Sequence, residues 1–181
     1  EVFEENPFLS NFYADRARYA FQTQIFFLLS RYHQQRRNIG DRLSQVKALI
    51  SDYTFEKDRL FAQINLHGDE LDMYYKVQEA LAEKILAPDL VVYLRASTDV
   101  LMKRIAMRDR PYERQMDREY IDLVNRAYDS FYFNSPHLTN VLTIDTDTLN
   151  FVEHPEDLEF ICNRIREELQ LAPYQPKLPI Q

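Results

Sequence analysis

Leu90-Val91-Val92-Tyr93-Leu94 follows Pro88-Asp89 and leads, after a short polar break, into a helical pattern over 98–108. The run is continuous rather than alternating, as in strands buried on both faces of a parallel sheet. Two other segments read the same way. Asn140-Val141-Leu142-Thr143-Ile144 runs into Asp145-Thr146-Asp147, and Val46-Lys47-Ala48-Leu49-Ile50 runs into Ser51-Asp52-Tyr53. Long helical patterns separate all three. Strands divided by helices give an α/β layered fold with a parallel sheet, and three strands are few for this much helix.

The helical patterns have readable boundaries. Asn6-Pro7 is a start signal, with Asn as cap and Pro in the first turn. From there Phe21, Ile25, Leu28 and Tyr32 recur at helical spacing. Residues 55–66 and 70–86 read as two helices broken near Gly68, and Pro111 is expected to stop the helix over 98–108. Segments 117–132 and 155–169 complete the set. The last ten residues, 172–181, are proline-spaced and read as a surface tail. Residues 1–171 then form one domain.

Composition narrows the function. The chain has 181 residues, 45% of them apolar, with 22 Lys plus Arg against 29 Asp plus Glu, a net charge of −7. That balance excludes general nucleic-acid coating, so any bound anion must be met by a local cluster. The longest apolar run, Ile25 to Leu29, is far short of a membrane span. The single cysteine, Cys162, excludes an internal disulfide and fits a reducing, cytoplasmic setting. His33, His67, His137 and His154 lack metal-ligand spacing. There are two glycines, where average usage of about 7% would give roughly a dozen. Neither a GxxxxGK[ST] nor a GxGxxG loop occurs in these residues.

Three groups of residues can carry chemistry. Asp52 lies just past the end of an expected strand, where ligands bind in such sheets and where a carboxylate can hold Mg²⁺ or its waters. It can equally cap the next helix. Lys103, Arg104, Arg108, Arg110, Arg114 and Arg118 gather six cations against Asp109, Glu113 and Asp117. Arginines at a helix end suit a polyphosphate, because guanidinium pairs bidentately with phosphate oxygens; the alternative is a solvated helix with local ion pairs. Gln24 and Arg31 share a helix face two turns apart and can read a nucleobase edge, or else both point to water.

Taken together, these segments resemble the deoxyribonucleoside kinase family, relatives of deoxycytidine, deoxyguanosine and deoxyadenosine kinases, in a bacterial pattern. The resemblance covers residues 1 to about 170. It is carried by EVFEENPFLSNFY at 1–13, YAFQTQIFFLLSR at 19–31 and RIAMRDRPYE at 104–113. The last is similar to the family's lid, spanning about 104–118 here. The family implies a P-loop kinase-like three-layer fold with sheet order 2-3-1-4-5. It also implies transfer of the γ-phosphoryl group of ATP, with Mg²⁺, to the 5′-hydroxyl of a deoxynucleoside, by a homodimer with no nucleic-acid or membrane partner.

Residue by residue, Glu1 matches the general base on the 5′-hydroxyl. Tyr13 and Glu113 match the pair on the 3′-hydroxyl. Gln24 and Arg31 match the base readers, leaning towards purines, and Phe61 the aromatic that packs on the base. Arg104, Arg108 and Arg110 match the lid arginines on the donor's phosphates. Asp145 and Asp147 lie in the segment that holds the donor's adenine. Two departures accompany the match. Ser51-Asp52-Tyr53 replaces a Glu-Arg-Ser or Asp-Arg-Ser triplet, which leaves Asp52 as the candidate for the metal role. Lys57 stands where many members have a base-pairing aspartate. The resemblance further implies that a strand, a P-loop and a helix, roughly 30 to 50 residues, precede Glu1, the strand lying between 46–50 and 90–94. A non-catalytic, kinase-like structural subunit is the alternative reading; a nucleoside monophosphate kinase fits the lid but not the Tyr13–Glu113 pair.

Overall fold

The structure, a computed structural model, describes residues 6–110, 113–114, 116–134 and 140–174, apart from the side chains of Tyr13, Asn38 and Asn134. Glu1, Pro111 and most of the proline-spaced tail lie outside the described residues. The chain divides into two compact units between Pro88 and Asp89.

The first unit is helical. Its elements are α1 (Leu9–Ala14), α2 (Arg16–Leu43), α3 (Lys57–Asn65) and α4 (Gly68–Ala82). The N-cap of α1 is Phe8, so Asn6 does not cap the helix as expected; its side chain accepts a hydrogen bond from the Phe8 N–H (2.9 Å) in the turn before it and donates to the Thr23 carbonyl (3.4 Å), which ties the entry segment to α2. Asp15 caps α2 by accepting from the Arg18 N–H. On α2, Ala20, Gln24, Leu28 and Tyr32 are buried at a spacing of four, which turns one stripe of a long helix inward. Leu28 and Tyr32 meet Phe55, Ala62, Leu66 and Tyr74 in one core. The break at Gly68 is conformational: its φ is +55°, a left-handed backbone that favours glycine.

The second unit holds β1 (Val91–Arg95), α5 (Thr98–Arg108), α6 (Arg118–Asn134), β2 (Val141–Asp145) and α7 (Pro155–Glu168). The strands are parallel, with Val92 opposite Leu142 and Leu94 opposite Ile144. Alternate residues face opposite ways. On one side Val92, Leu142 and Ile144 pack with Ile161 and Ile165 of α7. On the other, Tyr93 stacks on Tyr132 (4.7 Å between centroids) and Tyr128 of α6. Helix, parallel sheet and helix are the layers that the alternation of patterns implies. The α5 helix ends at Arg108 through a left-handed Asp109 (φ 46°), ahead of the proline expected to stop it.

The expected strand at 46–50 is not one. The sheet of the described residues comprises β1 and β2, and 46–50 is irregular, with Ile50 97% exposed. Apolar side chains supply faces for a strand, but a strand exists only by pairing its backbone groups, and this segment has no strand partner among the described residues.

Candidate functional site

The sequence-predicted residues fall into two clusters, one on each unit. In the first unit α2 carries Gln24 and Arg31 on its inward face. Gln24 is buried and Arg31 is largely so. The solvent-facing alternative for this pair therefore does not hold. The Arg31 guanidinium lies 3.4 Å from the centroid of the Tyr53 ring and its Nε is 3.6 Å from Asp58 Oδ1. The Tyr53 hydroxyl donates to that same oxygen. The Lys57 ammonium is 5.0 Å from the other occupant of this corner, the Tyr53 ring. One tyrosine thus carries two cations on its π-face and a carboxylate on its hydroxyl.

The carboxylate is the unexpected member. Sequence comparison puts Lys57 in place of the family's aspartate; the structure supplies one at the next position. Asp58 is 4% exposed on the face of α3 that also buries Ala62, so an acid stands among apolar contacts. Burial pushes its carboxyl up to about 6, against the opposing pull of the Tyr53 hydrogen bond and of Arg31 and Lys57. Burial and the nearby Arg31 push the Lys57 ammonium down, with Asp58 and Asp52 working the other way. Asp58 Oδ2 and the Tyr74 hydroxyl are buried without a hydrogen-bond partner among the described residues. An acceptor left open beside the Arg31 guanidinium, and a buried hydroxyl left open in the same unit, suit a ligand with its own donors and acceptors. An acid at helical spacing from Phe55 and Ala62 was the signal available in the sequence. Phe61 lies half-buried on the same helix, and Asp52 is exposed in the turn where the Ser51 hydroxyl donates to the Tyr53 carbonyl.

In the second unit the lid arginines are differentiated. Arg108 makes a bidentate pair with Glu113 (3.0 and 2.7 Å), in which the carboxylate is buried and the guanidinium half-exposed. Arg114 pairs with Asp109 and Arg118 with Asp99, both at the surface. Arg110 is exposed at the end of α5. Arg104 is half-buried and turns the other way, towards the loop after β2. It donates to Thr146 Oγ1 (3.0 Å) and to the carbonyls of Thr146 (2.6 Å) and Leu149 (3.0 Å).

That loop is held from other directions as well. The Thr146 N–H and hydroxyl both donate to the Arg95 carbonyl at the end of β1. The Ser97 N–H, where α5 begins, donates to Asp147 (2.6 Å), which holds its carboxyl below the usual range. Asp145 accepts from the Asp147 N–H and is 3.5 Å from Arg95. The loop therefore lies across the carboxyl ends of two parallel strands, where ligands bind in open α/β sheets. Thr146, missed in the sequence, is the residue at its centre. Glu1 lies outside the described residues, as does the side chain of Tyr13, whose backbone belongs to α1.

Among the described residues no helix is long and apolar enough to cross a membrane. The family model for deoxynucleoside kinases matches residues 1–170. A deoxyguanosine kinase of Bacillus subtilis is 32% identical over 171 residues, 92% of this chain and 82% of the relative. A deoxyguanosine kinase of Lactobacillus acidophilus is 30% identical over 184 residues, 94% of this chain and 78% of the relative. Among solved structures, deoxyadenosine kinase from M. mycoides with bound dCTP superposes with a TM-score of 0.73 at 27% identity, covering 92% of this chain and 83% of that one.

Proposed function

The chain belongs to the deoxynucleoside kinase family, and from that premise we propose that it transfers the γ-phosphoryl group of ATP to the 5′-hydroxyl of a purine deoxynucleoside, guanine being the preferred base. One observation carries the choice of base: Gln24 is buried on the α2 face that carries Arg31, and Arg31 lies against Asp58, whose Oδ2 is buried without a hydrogen-bond partner among the described residues. Guanine offers O6 and N7 as acceptors, which a guanidinium meets bidentately. Its N1–H and 2-amino group are adjacent donors, which a carboxylate meets. Adenine lacks that pair of donors, and pyrimidines lack N7. The 30–32% identical relatives named as deoxyguanosine kinases support the same choice.

The remaining roles follow the family pattern. Glu1 takes the proton of the 5′-hydroxyl. Tyr13 and Glu113 hold the 3′-hydroxyl, and Phe61 packs on the base. Arg108 and Arg110 face the donor's phosphates, stabilising charge that spreads over the transferring group. Asp145 and Asp147 shape the loop that receives the donor's base. Mg²⁺ is bound in such enzymes by one or two carboxylates together with substrate phosphates and water. Asp52, exposed in its turn, fits as one such carboxylate, and the ion bound there would neutralise donor charge. Cys162 as the only cysteine suits work in the cytoplasm, and the family pattern suits a homodimer.

Phosphoryl transfer from ATP to each of the four deoxynucleosides, followed by a coupled assay, tests this reading. Deoxyguanosine is expected to give the highest kcat/KM, then deoxyadenosine, then the pyrimidines. No transfer to any of the four would overturn it. The non-catalytic alternative has no counterpart among the reported relatives, which are named as kinases.

A further inference from the structure

Arg104 differs from its neighbours in what it touches. Arg108 pairs through a half-exposed guanidinium with the buried Glu113 carboxylate, and Arg110 is exposed. Arg104 instead spends three N–H groups on Thr146 Oγ1, Thr146 O and Leu149 O, with the Phe151 ring 6.0 Å from its guanidinium carbon. Two of these acceptors are backbone carbonyls of a tight turn, in which the Leu149 N–H already donates to the Thr146 carbonyl. Thr146 is fully buried, so its carbonyl and hydroxyl have no water to fall back on. A phosphate that took Arg104 would remove their charged donor, leaving the carbonyl only the Leu149 N–H and the hydroxyl only the Arg95 carbonyl.

We propose that Arg104 is a positioning residue: it fixes the 145–149 loop to the lid helix α5, setting the donor-base site rather than gripping the donor's phosphates. The proposal rests on the kinase reading above and changes the role that the lid motif alone assigns to this arginine. Because the N-cap of α5 is Ser97, whose N–H donates to Asp147, the loop is tied to the start and to the middle of one helix. Lid and donor-base loop then move as one body. The bond set also explains why the residue is an arginine. A lysine ammonium can reach one carbonyl of the turn, whereas the planar fork reaches two carbonyls and a hydroxyl at once.

The test uses the full chain with Arg104→Ala, Arg104→Lys and Thr146→Val, and Arg108→Ala as comparator. Three readouts are taken: steady-state kinetics with ATP and with GTP as donor, inhibition by inorganic tripolyphosphate, and hydrogen exchange of the 146–149 amides. Loss of the strut is expected to raise KM for ATP by about tenfold while kcat stays within about threefold. The ATP-to-GTP preference is expected to change in Arg104→Ala and, in the same direction, in Thr146→Val. Tripolyphosphate inhibition is expected to hold in Arg104→Ala and to weaken about tenfold in Arg108→Ala. Exchange of the loop amides is expected to rise in Arg104→Ala and partly recover in Arg104→Lys.

Tripolyphosphate inhibition lost equally in Arg104→Ala and Arg108→Ala, with an unchanged donor-base preference, would make Arg104 a phosphate clamp and overturn the proposal. Wild-type exchange at 146–149 in Arg104→Ala would overturn it too, and that readout needs no activity. A wild-type chain that transfers no phosphoryl group but shows the exchange effect would sink the kinase reading while leaving the strut in place.

Discussion

Replacing Asp58 by Asn tests the base-reading cluster and the stability of the fold in one experiment. The Asp58 carboxyl rises from an ordinary 3.8 to about 6 in the folded protein, chiefly through burial. A shift of about 2 units corresponds to about 3 kcal/mol. The sign follows from proton counting. Between about pH 4 and 6 the folded state holds a proton on Asp58 that the unfolded state has released, so stability falls as pH rises through that window and is level above it. Urea unfolding of wild type and Asp58→Asn from pH 4 to 8 should therefore give a stability difference that changes by up to about 3 kcal/mol between the two ends. Substrate adds a second reading. A base that donates N–H groups to the carboxylate favours its ionised form, so binding below pH 6 releases a proton. Deoxyguanosine affinity should then weaken by up to about tenfold per pH unit as pH falls below 6. Titration calorimetry at pH 5.5 in two buffers of different ionisation enthalpy measures that release directly. Parallel stability profiles for the two proteins, or buffer-independent binding heats, would refute the reasoning.

Gln24→Ala should cost about 1–3 kcal/mol of deoxynucleoside binding, and Arg31→Ala should change the preference among bases as well as weaken them; titration with the four deoxynucleosides checks both. Arg108→Ala should lower kcat by about a hundredfold, at 1.4 kcal/mol per tenfold, and should also destabilise the fold, since it strands the buried Glu113 carboxylate; a stability loss of about 1–3 kcal/mol by urea unfolding is the expected companion. Leu28→Ala, at a fully buried position on α2, should destabilise by about 2–5 kcal/mol, read by urea unfolding.

What the sequence made legible divides along a physical line. Residues 91–95 and 141–145 were readable as strands because each finds the other, and their apolar runs record burial on both faces. Residues 46–50 carry the same composition without a strand partner among the described residues, and composition does not encode pairing. The Gln24–Arg31 face was readable because a spacing of seven is a property of one helix. Asp58 was not, because Lys57 and Asp58 are neighbours about 100° apart around α3, and only the packing of α3 on α2 decides which of them closes on Arg31.

The lid shows the same division in its charges. Six cations against three anions over 103–118 read as a patch ready for a polyphosphate. In the folded chain three of those arginines are matched by carboxylates: Arg108 by Glu113, Arg114 by Asp109 and Arg118 by Asp99. Arg104 is matched by neutral carbonyls and a hydroxyl. That distinction matters electrostatically. A carboxylate partner cancels most of an arginine's field at a distance, whereas neutral acceptors fix the guanidinium in place and leave its charge whole. Arg104 is therefore held at a geometry set in advance by Thr146 and Leu149. Arg108 is half-exposed, and giving up Glu113 for a phosphate would leave that buried carboxylate without its guanidinium. The motif lists three equivalent arginines; the acceptors they meet, 42 residues away for Arg104 and five for Arg108, make them unequal.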